Sequence, residues 1–478
     1  MLDRYSDEPL YRELYLKLRQ LIETHALQSG TQVPSTRELA TDLGIARNTV
    51  ITAYDQLVTE GFLVSRPNAR PIVVKLGRKS LPITNITSTQ IGLSKRGELL
   101  AQQTIHHGAP GRFAFHPGMP DAMSFPYKEW SKLLARRAAG RGENLFGTYH
   151  VTGLPKLRET IATYLEVARG VECTPEQVVI TTGAQAGFDV LARLLLDPGD
   201  EVWMEEPGYY GARAAFLIAG GKLVPLNVDL DGWNLDLPAG NKPRVICVTP
   251  ACQHPFGMTM SIEQRIRLLD IAQEKNAWII EDDYDGEYRF DGRPVPSLQG
   301  MDRSERVIYV GTFAKILFPA LRLGYMVLPH SLTDKIASAL SSTGQYASLL
   351  LQAGVADFID AGLMARHLSR MRRLYSQRRK YFIQLCEEKF TAHFSLINGG
   401  AGIQIVGLLR EGLNDTEIAS LAQKKGVNIS PLSKYYRHHN IRQGLVLGYA
   451  ACDERTIDWG LQKLHETILD LKTQHGMP

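Results

Sequence analysis

Apolar residues recur at helical spacing over residues 9–28, with Leu10, Leu14, Leu18, Leu21 and Ile22 on one face. Pro34-Ser35 opens a second predicted helix. Ser35 is its N-cap, Glu38 completes a capping box, and Leu39, Ala40 and Leu43 face inward. Gly44 breaks that helix. A third helix runs from Ala46 or Arg47 to about Glu60, with Val50, Tyr54 and Leu57 inward, and Gly61 ends it. Phe62–Val64 and Ile72–Val74 then alternate as two short strands around Pro67-Asn-Ala-Arg70. Three helices with a tight glycine turn, followed by a hairpin, predict a winged helix-turn-helix over residues 1–78.

The pattern changes beyond this module. Residues 79–112 are rich in Ser, Thr and Gln and read as a linker, a loose coil spanning on the order of 30 Å. From residue 113 to 478 strand-like runs alternate with helix-length segments. The runs are Val178–Thr181, Glu201–Met204, Arg244–Val248, Ala277–Ile280 and Val307–Val310. Such alternation predicts an α/β domain with a mostly parallel sheet, ending from about Gly362 in a small α+β part.

Composition adds little to this picture. The 478 residues suffice for two or three domains, and 44% hydrophobic with 22% charged residues is ordinary for a globular chain. The net charge of +4 gives no global case for nucleic acid. Between Ser35 and Lys79 seven basic residues meet four acids, a local excess of +3, which a solvated face alone would explain. Five scattered cysteines without a CxxC pair read as reduced thiols, neither a disulfide framework nor a zinc site. The charged N-terminus does not read as a signal peptide, and no apolar run reaches membrane-spanning length. A cytoplasmic protein with no membrane partner is expected.

Candidate chemistry falls at the predicted strand ends. Thr182-Gly183-Ala184-Gln185 opens a helix whose free N–H groups would hold a phosphate. Glu206-Pro-Gly-Tyr209 and Thr249–Gly257 follow the next strands. Asp282 and Tyr284 lie in Glu281-Asp-Asp-Tyr-Asp285, and Lys315 and Arg322 lie in the segment Gly311–Arg322. A lysine amine for a Schiff base, an acid for a pyridine nitrogen and an arginine for a phosphate are what a pyridoxal 5'-phosphate (PLP) site requires. Each station alone is an ordinary turn; the ordered set is not. A metal at the acidic run would want a histidine partner, and none lies nearby.

The chain also resembles the MocR-type regulators, in which a GntR-like winged helix is joined to a fold-type I aminotransferase-like domain. The resemblance covers nearly the whole length. It rests on Val33–Ala40, Arg47–Val50, Thr182–Gln185, Glu206–Tyr209, Glu281–Asp285 and Gly311–Lys315. It implies that Lys315 forms the aldimine, Asp282 meets the ring nitrogen, Tyr284 meets the phenolic oxygen and Tyr209 stacks on the ring. It also implies that Gly183, Ala184, Gln185, Thr312 and Arg322 hold the phosphate. Departures are Ala314 in place of the family's Ser, Cys252 in place of its His, and a wing turn without the usual glycines. The arginine that GABA-sensing members carry close after the tyrosine is also absent; Arg213 lies further on.

For an effector's carboxylate the resemblance asks for an arginine near the C-terminus. Arg437 or Arg442 would serve, and two solvated arginines are an equally good reading. In the N-terminal module Ser35, Arg37, Arg47, Asn48 and Thr49 sit at helix starts, where a helix-turn-helix presents residues to base edges. Arg47 is the expected guanine reader, and Arg66, Arg70 and Lys75 are expected at phosphates. The resulting expectation is a homodimeric regulator that binds double-stranded operator DNA and responds to PLP or an amino compound. The alternative is a working aminotransferase with an accessory DNA-binding module.

Overall fold

A computed structural model describes residues 8–67, 69–74, 92–103, 113–140, 145–236, 240–292, 295–438 and 441–475. The chain divides into two compact units, one ending at Gly92 and the other beginning at Leu93.

The first unit holds helices α1 (Leu10–Glu23), α2 (Thr36–Leu43) and α3 (Arg47–Thr59), then strands β1 (Leu63–Val64) and β2 (Ile72–Val73), which pair antiparallel. The capping box is present: Ser35 Oγ accepts the Glu38 N–H at 3.3 Å, and the Glu38 carboxylate accepts the Ser35 N–H at 2.9 Å. Gly44 ends α2 at φ 61°, a left-handed position open to glycine at no steric cost. Leu14, Ile22, Ala40, Val50, Tyr54, Leu57, Leu63 and Val73 close one small core. The inward face of α1 differs from the expectation: Tyr15 is buried, donating to Glu60, while Leu21 is 42% exposed.

The second unit is built on an eight-stranded sheet. Its strands are β3 (Val178–Thr181), β4 (Glu201–Glu206), β5 (Lys222–Asp229), β6 (Gly232–Trp233), β7 (Pro243–Val248), β8 (Trp278–Asp283), β9 (Val307–Thr312) and β10 (Gly324–Val327). Their order across the sheet is β3-β10-β9-β8-β7-β4-β5-β6. β5, β4, β7, β8 and β9 run parallel in turn, whereas β10 runs antiparallel to both β9 and β3.

All five expected runs are strands. β5 and β10 were not anticipated. β5 carries Pro225, which lacks the N–H that an interior strand needs. β6 pairs only with the far end of β5, at Val228 and Asp229, so near Pro225 one side of the strand is open.

Helices cover both faces of the sheet. The Ala184–Leu195 helix packs with Tyr210–Ile218 and His330–Thr343 on one side. Pro155–Arg169, Leu349–Asp360 and Leu363–Lys389 pack on the other. The C-terminal part is an antiparallel sheet in the order β11 (Phe394–Ile397), β12 (Gln404–Leu409), β14 (Gly444–Gly448), β13 (Ser430–Pro431), backed by Glu454–Gln474. No described helix is long and apolar enough to cross a membrane.

The segment read as a linker departs from a loose coil. Lys95–Gln102 is a helix capped by Ser94, whose Oγ accepts the Gly97 N–H at 3.0 Å, and it belongs to the second unit. Ser94 followed by Glu98-Leu99-Leu100 is a helix start that the surrounding polar composition hides. Residues 75–91 and 104–112, including Lys75, lie outside the described residues.

Candidate functional site

Parallel strands gather their following loops at one edge of a sheet. Here Gly183 follows β3, Tyr209 follows β4, Thr249 follows β7, Tyr284 follows β8 and Thr312 ends β9. The antiparallel β10 begins where its neighbours end: Gly324 pairs with both Thr181 and Thr312. That reversal brings Arg322 to the same edge.

The Ala184–Leu195 helix has no side-chain cap at Gly183, whose φ of 97° suits glycine. Its first N–H groups are therefore offered to an outside acceptor. The Arg322 guanidinium sits above them, 3.8–3.9 Å from the position that a Cβ on Gly183 would take. Gly324 makes the approach possible: a Cβ there would meet the Ala184 nitrogen at 2.8 Å. Arg322 itself holds a left-handed φ of 51°. Gln185 turns aside, donating to the Gly211 carbonyl at 2.8 Å, with its Oε1 3.5 Å from the Tyr209 hydroxyl. Thr312 is buried and its Oγ1 accepts the Ala314 N–H at 3.1 Å. An anion with several oxygens fits this corner.

Strand alternation sorts the acidic run. Glu281 accepts the N–H groups of Leu298 and Gln299 and lies 3.7 Å from Arg265. Asp283 pairs with Arg169 at 2.5 Å and accepts the Tyr309 hydroxyl. Both are structural. Asp282 points the other way, buried, with Oδ1 lacking any partner. Burial holds its carboxyl well above the usual range, reinforced by Asp283 and Glu205. A cationic ring nitrogen opposite Oδ1 would supply the missing partner and keep the group ionised.

Tyr284 is raised by burial and contacts the Cys252 sulfur at 3.4 Å. Tyr209 lies edge-on to His254, with centroids 5.6 Å apart, and burial raises its phenol too.

Lys315 completes the set. Its Nζ donates to the Gly118 carbonyl at 2.5 Å. Burial lowers its pKa against the opposing pull of Asp285 and Asp282, which favours the neutral, nucleophilic amine. The structure thus joins Lys315, Asp282, Tyr284, Tyr209, Thr312, Gly183, Ala184, Gln185 and Arg322 at one sheet edge.

Arg437 and Arg442 lie on the loop that follows Tyr435, itself packed on His254. Arg437 donates its backbone N–H to Glu206, and Arg442 lies by Tyr436. No contact joins either guanidinium to Lys315, Asp282 or Tyr284. β14, which follows them, is apolar and buried throughout.

Five residues escaped the sequence reading. Gly118 arrives from far upstream at φ 64°. Gln404 begins β12, buried, with both ends of its amide unpartnered. His254 is pushed down to about 3 by burial and by Lys315. Asp285 is pushed up to about 7 by burial.

Glu205, the fifth, accepts the Thr249 N–H and hydroxyl and the Trp233 indole, and burial raises it to about 7. Between pH 4.5 and about 7 the folded protein holds that proton and the unfolded chain does not, so stability falls as pH rises through this window. Glu205→Gln is expected to flatten that slope. Melting temperatures of both proteins across the window check it; an unchanged slope contradicts it.

In the first unit Arg37, Arg47, Asn48 and Arg66 are exposed, Thr49 is half-buried, and Arg47 Nε lies 3.5 Å from Thr36 Oγ1. Two of the residues expected at DNA have partners within the unit. The Ser35 hydroxyl is committed to the helix cap. Arg70 is paired with Glu38 at 2.5 Å. That pair is exposed, where such bridges contribute ~0–1 kcal/mol, so a phosphate can displace Glu38. Among the described residues no cluster of His, Cys, Asp and Glu could hold a metal ion.

Fold and site together define an aminotransferase-like domain carrying a helix-turn-helix head, and comparison with known proteins agrees. Residues 119–464 match the family of class I and II aminotransferases, and residues 10–73 match the gntR family of bacterial regulatory proteins. The chain is 48% identical over its whole length, and 97% of the relative's, to a probable rhizopine catabolism regulatory protein, MocR, of Rhizobium meliloti. It is 29% identical, over 95% of both chains, to the pyridoxine biosynthesis regulator PdxR of Corynebacterium glutamicum. A solved α-aminoadipate aminotransferase, LysN of Thermus thermophilus, complexed with N-(5'-phosphopyridoxyl)-L-leucine, superposes with a TM-score of 0.73 at 25% identity, covering 80% of this chain and 98% of that one. The chain belongs to the MocR-type transcriptional regulators.

Proposed function

We propose that this regulator binds PLP at Lys315 and, as a homodimer on operator DNA, changes its DNA affinity when PLP or an amino compound occupies the site. The observation that carries this is the conjunction at the sheet edge. A half-buried lysine stands beside the partnerless Asp282 Oδ1, and an uncapped helix start faces Arg322.

When bound, PLP supplies an aldehyde that reacts with amines and a ring that withdraws electrons. Arg322 and the N–H groups after Gly183 would hold its phosphate. Asp282 would keep the ring nitrogen protonated, Tyr284 would meet the phenolic oxygen, and Tyr209 would cover one ring face. Dimerisation is supported by large apolar side chains left exposed in the single chain, among them Met123, Phe146 and Tyr149.

Borohydride tests the cofactor reading. After incubation with PLP the protein is expected to turn yellow, and reduction should fix one phosphopyridoxyl group to the peptide containing Lys315. Absence of colour, or a label on other lysines only, would refute it.

A further inference from the structure

The geometry points to the chemical class of the effector, on the reading that Lys315 carries PLP. The charged and titratable groups facing Lys315 are Asp282, Asp285, His116 and His254. Two are carboxylates. Burial holds both above the usual carboxylate range, and neither they nor the two imidazoles offer a fixed positive charge to a carboxylate on a ligand.

The nearby guanidinium groups bond elsewhere, although Arg289 Nε is buried without a partner. Arg213 donates to the carbonyls of Lys434, Tyr435 and Tyr436, and Arg289 to Thr259 Oγ1. Arg378 bonds Asp121 and the Ala450 carbonyl, and Arg379 bonds Asn398. Arg322 stands at Gly183.

What the site offers instead is neutral. Gln404 is 5% exposed, and neither its Oε1 nor its Nε2 has a partner. From the position that a Cβ on Gly118 would take, Gln404 Oε1 is 3.8 Å away and Lys315 Nζ 2.7 Å. His254 presents a second unpartnered buried atom, Nε2, and its ring lies 5.3 Å from that of Tyr284 and 5.1 Å from that of Tyr435. The imidazole is neutral at physiological pH. An amide that both donates and accepts, beside a neutral imidazole, matches hydroxyl groups, which also do both. Leaving such groups buried and unpaired costs ~1–3 kcal/mol each, so their retention beside the lysine marks a polar guest.

We propose that the effector is a primary amine bearing hydroxyl groups and no carboxylate, held by Gln404 and His254.

The test compares serinol with serine, which differ by a hydroxymethyl group in place of the carboxylate. The PLP-loaded full-length protein is titrated with each, and the visible band of the lysine-bound cofactor is followed. Serinol is expected to perturb the band at a concentration at least about ten-fold lower, the effect of one well-made buried hydrogen bond. Gln404→Leu is expected to close most of that gap. The proposal is overturned if serine acts at an equal or lower concentration, if neither compound perturbs the band, or if Gln404→Leu keeps the full gap. A protein that forms no band with PLP refutes the cofactor reading, and the proposal falls with it.

Discussion

Lys315→Ala is expected to abolish the visible band of PLP-treated protein and to leave operator affinity indifferent to PLP. Lys315 supplies the amine that stands beside Asp282 and Asp285 in this site. Removing it deletes the covalent attachment, while Arg322 and the helix start at Gly183 still recognise a phosphate. Weak, noncovalent binding of PLP with the spectrum of the free aldehyde is therefore expected to survive. Nonspecific DNA affinity comes from phosphate contacts, which lie in the helix-turn-helix unit and should be unchanged. Absorption spectra and DNA titrations of the variant check both parts. A full PLP response in Lys315→Ala would mean that the attachment is not the switch.

Arg47→Ala is expected to weaken operator binding by roughly 5- to 150-fold, the ~1–3 kcal/mol of one bidentate base contact. Arg47 is exposed at the first position of α3, and its weak 3.5 Å contact with Thr36 leaves it free to reach a guanine. Binding to scrambled DNA should fall far less, and the cofactor spectrum should not change. Titration of both DNAs at one fixed salt concentration distinguishes these effects. Equal loss on operator and scrambled DNA would assign Arg47 to a phosphate instead.

Residues that lie close together in sequence and end a strand were legible. The capping box, the Gly44 turn, the strand runs ending at Thr181, Met204, Val248 and Ile280 (two of which extend to Glu206 and Asp283), and the Lys315–Arg322 segment all carry local patterns that backbone geometry demands. What escaped detection is assembled from distant pieces. Gly118 reaches Lys315 across nearly two hundred residues of sequence, and Gln404 enters from a separate antiparallel sheet. A lone Gly or Gln has no periodicity to betray it. Its role appears only as a would-be clash or an orphaned amide.

Arg437 and Arg442 were open to two readings in the sequence. Their charge suggested a carboxylate clamp, but the loop that carries them is tied down through Glu206, which accepts the N–H groups of Arg437 and His438 and pairs with the His438 ring. β5 was missed for its proline and β10 was missed as well, yet β10 decides the site, since its reversal delivers Arg322.

The central claim is that occupancy of the Lys315 site is coupled to operator binding. The most direct measurement is the dissociation constant of the wild-type protein for its operator, at fixed salt, with and without saturating PLP. The account predicts a change of at least about five-fold, the lower end of ordinary allosteric coupling, with scrambled DNA unaffected. Identical operator affinity in both states, while the visible band confirms that Lys315 is modified, would contradict it.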